Sequence, residues 1–346
     1  MEKDSLYGKT LQELGDVTRL LGMPAFTARQ MADWLYKKGI STIDEMTNLS
    51  KTNRERLKEH YQPGMTGPVK VQASVDGTKK YLYPSRPGKF IETAYIPESS
   101  RSTLCVSSQV GCKMGCLFCM TGKQGFQGNL SAGEILNQAG SLPEKDKLTN
   151  IVYMGMGEPL DNTDEVLKSL EILTADWGFA MSPRRITVST IGILPGLKRF
   201  LDDSACHLAI SLHTPFDDER RKLMPVQTVY PAAEIIDFIK NYDWNGQRRV
   251  SVEYIMFDGL NDTDRHIKEL ARLLNGIRCR VNLIRFHPIP GTPLKSSPED
   301  RIIKFRDALT DKGITTTIRR SRGQDIYAAC GLLSTKELVK QNEQDF

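Results

Sequence analysis

The sequence predicts an α/β protein, with βαβ units on a parallel sheet behind a small helical domain and a short β extension. Three observations predict it. Runs rich in Val and Ile alternate with amphipathic stretches of helical length through the larger part of the chain, the pattern of strands joined by crossover helices. A Pro- and Gly-containing break, PGMTGP at residues 63–68, cuts this region off from an N-terminal stretch of helical periodicity. Short alternating runs fill the interval between the two.

Residues 1–62 form the helical domain. TLQELGDVTRLLG is amphipathic and stops at Gly-Met-Pro; FTARQMADWLYKKG opens on a Thr-x-x-Gln capping pattern and closes on Lys-Lys-Gly; LSKTNRERLKEHY is the third helix. Residues 63–100 are linker and β extension, with VKVQASV, KKYLYPS and KFIETAYIP as strands. Residues 101–333 carry the βα repeats. Their strands are NIVYMG, RITVST, HLAISLH, RVSVEYIM, RVNLIRF and ITTTIRR, and their helices include SAGEILNQAG, TDEVLKSLEIL, AAEIIDFIKNY and TDRHIKELARLLNG. Residues 334–346 are a tail. Chemistry in such folds gathers beyond the C-terminal ends of the strands.

Composition narrows the class. The 346 residues include no run of eighteen apolar positions, so a membrane span is not expected. MEKDSLYGKTLQEL has no apolar secretory core, and a cytoplasmic location with reduced thiols is the expectation. Seven cysteines, odd in number and unevenly spread, do not make a disulfide framework. Cys206 and Cys279, in apolar runs, read as small core residues. A net charge of +5 permits nucleic acid as a partner without requiring it.

The segment GCKMGCLFCM sets Cys112, Cys116 and Cys119 in a C-x3-C-x2-C pattern just after a strand-like run. A structural zinc site wants four ligands and no open position, and here no second pair and no local His completes the set. Three thiolates suit an iron–sulfur cubane, whose fourth iron is left to bind a small molecule.

This pattern, with Phe118 before the last cysteine, is the signature of radical S-adenosylmethionine (SAM) enzymes. CVSSQVGCKMGCLFCMTGKQGFQGNL, YMGMGEPLDN, SPRRITVSTIGI, ISLHTP, RKLMP, VNLIRFHPIPGTP and GQDIYAACG, collinear from about residue 90 to 333, resemble the RlmN/Cfr family of RNA adenine methyltransferases. The resemblance implies a partial (β/α)6 TIM-type barrel. It implies a [4Fe–4S] cluster on Cys112, Cys116 and Cys119, and SAM contacts from Gly157, Glu158, Ser189, Ser211, Leu212, His213 and His287, the last standing where Asn is expected in many relatives. It further implies Cys330 as a methyl-carrying cysteine, Cys105 as its transient disulfide partner, and Glu92 as a proton acceptor. Taken without the resemblance, Cys330 reads as a core residue and Glu92 as the solvent side of a strand.

The family activity is methylation of adenine at C2, or at C8 in the branch that confers antibiotic resistance, and the MGMGEPLDN and FCMTGKQGFQGNL blocks look closer to the C2 branch. Substrates of that branch are 23S rRNA and tRNA. Two SAM molecules per turnover, an electron donor such as flavodoxin with its reductase, and a monomeric state belong to the same expectation. Cys330 acts as a thiolate, so a cation among Arg319, Arg320 and Arg322 would help, and Gly323 and Gly331 would let a segment at 322–333 move. Lys37, Lys38, Arg54, Arg56 and Lys58 are candidates for RNA backbone contacts; Tyr36 and Trp34 could stack on bases, although Trp34 reads more readily as core. Two rivals remain at this point: a radical SAM enzyme of small molecules, and a non-catalytic RNA-binding protein with a structural metal.

Overall fold

The computed structural model describes residues 3–244 and 248–335. The N-terminal elements are β1 (Asp4–Ser5), α1 (Leu11–Leu20), α2 (Thr27–Ala32), α3 (Lys51–His60) and β2 (Tyr61–Gln62). Thr10 and Glu13 close a capping box on α1. The Thr-x-x-Gln signature of α2 does not act as a cap. Thr27 is already inside the helix, because its N–H turns back onto Pro24 O at 3.0 Å and the chain enters through Phe26. Asp33–Lys38 continue α2 as a π-helical turn, which ends at Gly39 in the left-handed region, φ +68°.

β3 (Lys70–Ala73), β4 (Lys79–Pro84) and β5 (Phe90–Pro97) form the extension, antiparallel to one another and to β6 (Ser102–Cys105). A small hairpin, β7 (Gln109–Val110) with β8 (Gly128–Asn129), brackets the cysteine loop and its helix α4 (Met120–Gln124). The crossovers follow as α5 (Ala132–Gly140), β9 (Asn150–Tyr153), α6 (Thr163–Thr174), β10 (Ile186–Thr190), α7 (Leu194–Asp203), β11 (His207–Ser211), α8 (Asp217–Leu223), α9 (Ala232–Asn241), β12 (Val250–Met256), α10 (Asp264–Leu274), β13 (Cys279–Arg285), α11 (Glu299–Asp311) and β14 (Thr315–Ile318).

One ten-stranded sheet runs β14-β13-β12-β11-β10-β9-β6-β5-β4-β3. β6 and β9 to β13 are the six parallel strands of a partial barrel, and β14 adds a further parallel strand at its edge. The barrel stays open, because its last strand and the extension are opposite edges of the same sheet.

Two apolar clusters hold the sheet to its helices, and the larger one also includes the helical domain's core residues Leu14, Met31, Leu35 and Leu57. Tyr36 is buried in that junction against Trp177 and Phe179, its hydroxyl accepting from Gly8 N–H and donating to Lys9 O. It is therefore no base-stacking platform. Trp34 is half-buried, with Lys38 Nζ 3.5 Å from its ring centre and its indole N–H on Asn48. Cys206 is buried, while Cys279 is half-buried at the start of β13. Of the predicted tail, residues 336–346 lie outside the described residues.

Candidate active site

A cavity of about 580 Å³ opens inside the barrel, and its wall carries Cys112, Cys116, Cys119, Cys105 and Cys330 together. The loop between β7 and α4 presents the first three sulfurs. Gly111 (φ +72°) and Gly115 (φ +64°) let this short loop reverse. A Cβ on Gly111 would lie 1.7 Å from Gly125 O, so no other residue fits there. Burial pushes the Cys112 thiol up to about 12 and raises Cys116 well above its ordinary value, with the neighbouring cysteine sulfurs adding to both. Among the described residues no three His, Cys, Asp or Glu groups are set to close round a single metal ion. Three cysteines of one short loop on a single cavity wall do fit a cluster that takes one thiolate per iron.

Gly157 and Glu158 follow β9. Gly157 sits at φ +99°, and a Cβ there would meet the Gln109 side chain at 2.5 Å. Glu158 is buried and accepts from Thr190 Oγ1 at 2.6 Å, Ile191 N at 3.0 Å and Leu160 N at 3.0 Å. Burial dominates these bonds and lifts its carboxyl to about 7. Ser189, next to last in β10, and Ser211, last in β11, lie on the same wall. His213 adopts φ +63°, and its Nδ1 accepts from Ile255 N at 3.0 Å. That bond fixes the neutral tautomer with hydrogen on Nε2, and burial drops the ring's pKa to about 3. Its ring meets Phe118 edge-on at 4.8 Å, tying the cysteine loop to β11. His287 also lines the cavity. Leu212 does not: its side chain belongs to the core between the sheet and its outer helices.

Glu92 lies off the cavity wall and is buried at 1% exposure, not on a solvent face. Its Oε1 is 2.9 Å from Lys80 Nζ, and its Oε2 accepts from Ser334 N at 2.9 Å. The segment after Cys330 is thus held from behind. Met120 N also donates to Gly331 O, Thr121 Oγ1 to Leu333 O, and Thr335 N to Gln124 Oε1. Gly323 (φ +62°) and Gly331 (φ +83°) both use the left-handed conformation. Cys105 packs with Ala94 and Ala328. Burial raises its thiol to about 12, with Cys330 adding to the rise and Arg319 opposing it.

Sequence reasoning missed one polar row. Ser211, Glu253, Asn282 and Thr317 stand side by side in register across β11 to β14. Asn282 Nδ2 donates to Glu253 Oε1 at 2.7 Å, and Thr317 Oγ1 donates to Asn282 Oδ1 at 2.7 Å. Arg319 Nη1 stands 3.8 Å from Glu253 Oε2, and the Cys330 sulfur is the chief influence holding Arg319 above its ordinary pKa. Polar letters inside otherwise apolar runs, VSVEYIM and RVNLIRF, were the available signal.

Residues 106–274 match the Radical SAM superfamily, and residues 5–62 match the ribosomal RNA large subunit methyltransferase N-terminal domain. A probable dual-specificity RNA methyltransferase RlmN of Parabacteroides distasonis is 59% identical over 98% of this chain and 99% of its own length. The dual-specificity RNA methyltransferase RlmN of Syntrophus aciditrophicus is 42% identical over 99% of both. The crystal structure of a radical SAM methyltransferase from Sphaerobacter thermophilus superposes with a TM-score of 0.89 at 41% identity, covering 95% of this chain and 99% of that one.

Proposed function

Since the chain belongs to the RlmN family of dual-specificity radical SAM RNA methyltransferases, we propose that it methylates C2 of adenine in 23S rRNA and in tRNA, with Cys330 as the carbon carrier. The observation that carries the proposal is that Cys330 and Cys105 share one cavity wall with the three loop cysteines. A small-molecule radical SAM enzyme needs no such pair, and a structural metal site needs no such cavity.

Cys112, Cys116 and Cys119 are assigned as ligands of a [4Fe–4S] cluster. Gly157, Glu158, Ser189, Ser211, His213 and His287 are assigned as SAM contacts, and Leu212 as one through its backbone, with two SAM molecules per turnover. When bound, cluster and SAM supply the methyl group and the radical chemistry that an unactivated aromatic carbon requires. Neutral His213 offers an Nε2–H donor, and Glu158 is poised near neutrality to accept from an ammonium group. The Cys330 thiolate takes up the carbon and holds it to adenine C2. Glu92, behind the Cys330 segment and off the cavity wall, is assigned as the final acceptor of the C2 proton. Cys105 then attacks the Cys330 sulfur: the S–S bond forms as the S–C bond breaks, the methylene carbon keeps that electron pair and takes up the thiol's proton, and methylated RNA leaves behind a Cys105–Cys330 disulfide that cellular reductant reopens. A flavodoxin-type electron donor, a monomeric state and a cytoplasmic location complete the reading. No helix among the described residues is long and apolar enough to cross a membrane.

The test is mass spectrometry of nucleosides from 23S rRNA and tRNA treated with anaerobically reconstituted protein, wild type against Cys330→Ala. The expected product is 2-methyladenosine, absent with the variant. Formation of 8-methyladenosine would move the protein to the resistance branch, and methylation that survives the substitution would end the carrier role of Cys330.

A further inference from the structure

RNA must be gripped near the cavity for an unstacked adenine to enter it. The five basic residues of the helical module expected to do so are poorly free. Lys58 Nζ is held by Asp44 at 2.9 Å and Glu55 at 2.8 Å. Arg54 donates to Asp44 O at 2.6 Å, Arg56 donates to Leu21 O at 3.1 Å, and Lys37 and Lys38 both face Asp33. A phosphate arriving at any of them displaces an existing partner. Such exposed pairs are individually weak, yet each displacement subtracts from the gain of binding.

The cavity rim is different. Of the five arginines on its wall, Arg101 is paired with Glu98 at 2.8 Å and Arg319 faces Glu253. Arg280, Arg320 and Arg322 have no acidic partner among the described residues, and of these Arg320 and Arg322 lie on the segment that leads to Cys330. Arg322 Nε, like Arg54 Nε in the helical module, is a buried donor without an acceptor, but Arg54 already spends its Nη1 on Asp44 O. Arg320 itself is exposed.

The backbone that presents them is pinned at both ends. Arg319 N donates to Leu283 O at 2.8 Å, and Gly323 N donates to Asp76 Oδ2 at 2.9 Å. Asp325 Oδ1 accepts from Ser74 Oγ at 2.6 Å, fastening the following turn to the β3–β4 hairpin. A Cβ on Gly323 would lie 2.8 Å from Ala328 Cβ, so the close turn leading back to Cys330 depends on this glycine. The two guanidinium groups therefore stand on a fixed ledge a few residues before Cys330, and a planar guanidinium matches two phosphate oxygens.

We propose that Arg320 and Arg322 bind the phosphodiester backbone beside the target nucleotide, forming the grip that delivers an adenine to Cys330. This rests on the RNA methyltransferase reading and adds the residues that hold the RNA.

The experiment measures binding without turnover. A fluorescein-labelled stem-loop RNA with an unpaired adenine is titrated by anisotropy against full-length reconstituted protein at several salt concentrations. Arg320→Gln and Arg322→Gln should each raise Kd by about five- to ten-fold and make the plot of log Kd against log salt shallower by about one unit. Arg322→Lys, which keeps the charge but loses the fork, should fall between wild type and Arg322→Gln. Retention of the iron–sulfur absorbance in each variant shows that the cavity is intact. Binding within two-fold of wild type with an unchanged salt slope in both Gln variants overturns the proposal, as does a loss confined to Lys58→Gln and Arg56→Gln. Wild-type protein that binds RNA through these arginines and methylates no adenine supports the grip and overturns the functional reading instead.

Discussion

Lys80 Nζ lies 2.9 Å from Glu92 Oε1, and the two side chains are 9% and 1% exposed. An ion pair removed from water this far gives little net stability while whole, but removing one half takes the opposite charge from beside a buried ion. Lys80→Met should therefore lower unfolding free energy by about 3–5 kcal/mol, and Lys80→Met with Glu92→Leu should recover most of it. Urea unfolding of the two variants beside wild type checks this. A single variant as stable as wild type would mean that Glu92 finds another cation or a proton at no cost.

His213 gives the acid limb of the stability curve a predictable shape. Burial lowers its pKa from 6.5 to about 3, so below pH 6.5 the unfolded chain takes a proton that the folded chain refuses. The stability contributed by the neutral ring is whole above pH 6.5 and drains away as pH falls towards 3, at up to about 1.4 kcal/mol per pH unit. His213→Asn, which tolerates the left-handed backbone at φ +63°, should flatten unfolding free energy against pH by about one proton across that window. Parallel curves for variant and wild type between pH 4 and 6.5 would show that this ring is not the source.

Residues legible in the sequence are those whose signal is local. The cysteine triad is a spacing, and the strands are Val and Ile runs, which is why the βα order emerges without coordinates. Glu92 misleads because alternation along β5 gives each face a pattern but does not say what covers it; the cover is Lys80 from β4 and the segment after Cys330, hundreds of positions downstream. Tyr36 misleads likewise: its ring rests on Trp177 and Phe179, contacts that no window around residue 36 contains. The row from Ser211 to Thr317 needs the register of four strands, and register is fixed by packing across the barrel. Arg319 takes its place beside Glu253 only because β14 joins the sheet parallel to β13.

Cys105 offers the sharpest separation between chemical steps. Its sulfur is buried at the end of β6, packed with Ala94 and Ala328, and burial holds its thiol up to about 12. In the free protein it is therefore a neutral, unreactive thiol at physiological pH, which protects it from chance oxidation. Its assigned work comes last, after carbon has joined Cys330 to adenine. Cys105→Ala should leave the earlier steps untouched and block release, because no second sulfur remains to attack Cys330. The substitution shortens a small buried side chain, so the fold should persist with a loss of about 1 kcal/mol. Reaction with labelled RNA should then give a protein–RNA species that survives denaturing electrophoresis, with free methylated RNA much reduced. Adding Cys330→Ala to the same chain should abolish the species. Free 2-methyladenosine formed at the wild-type rate by Cys105→Ala would refute the disulfide route and leave Cys330 to release its product by other means.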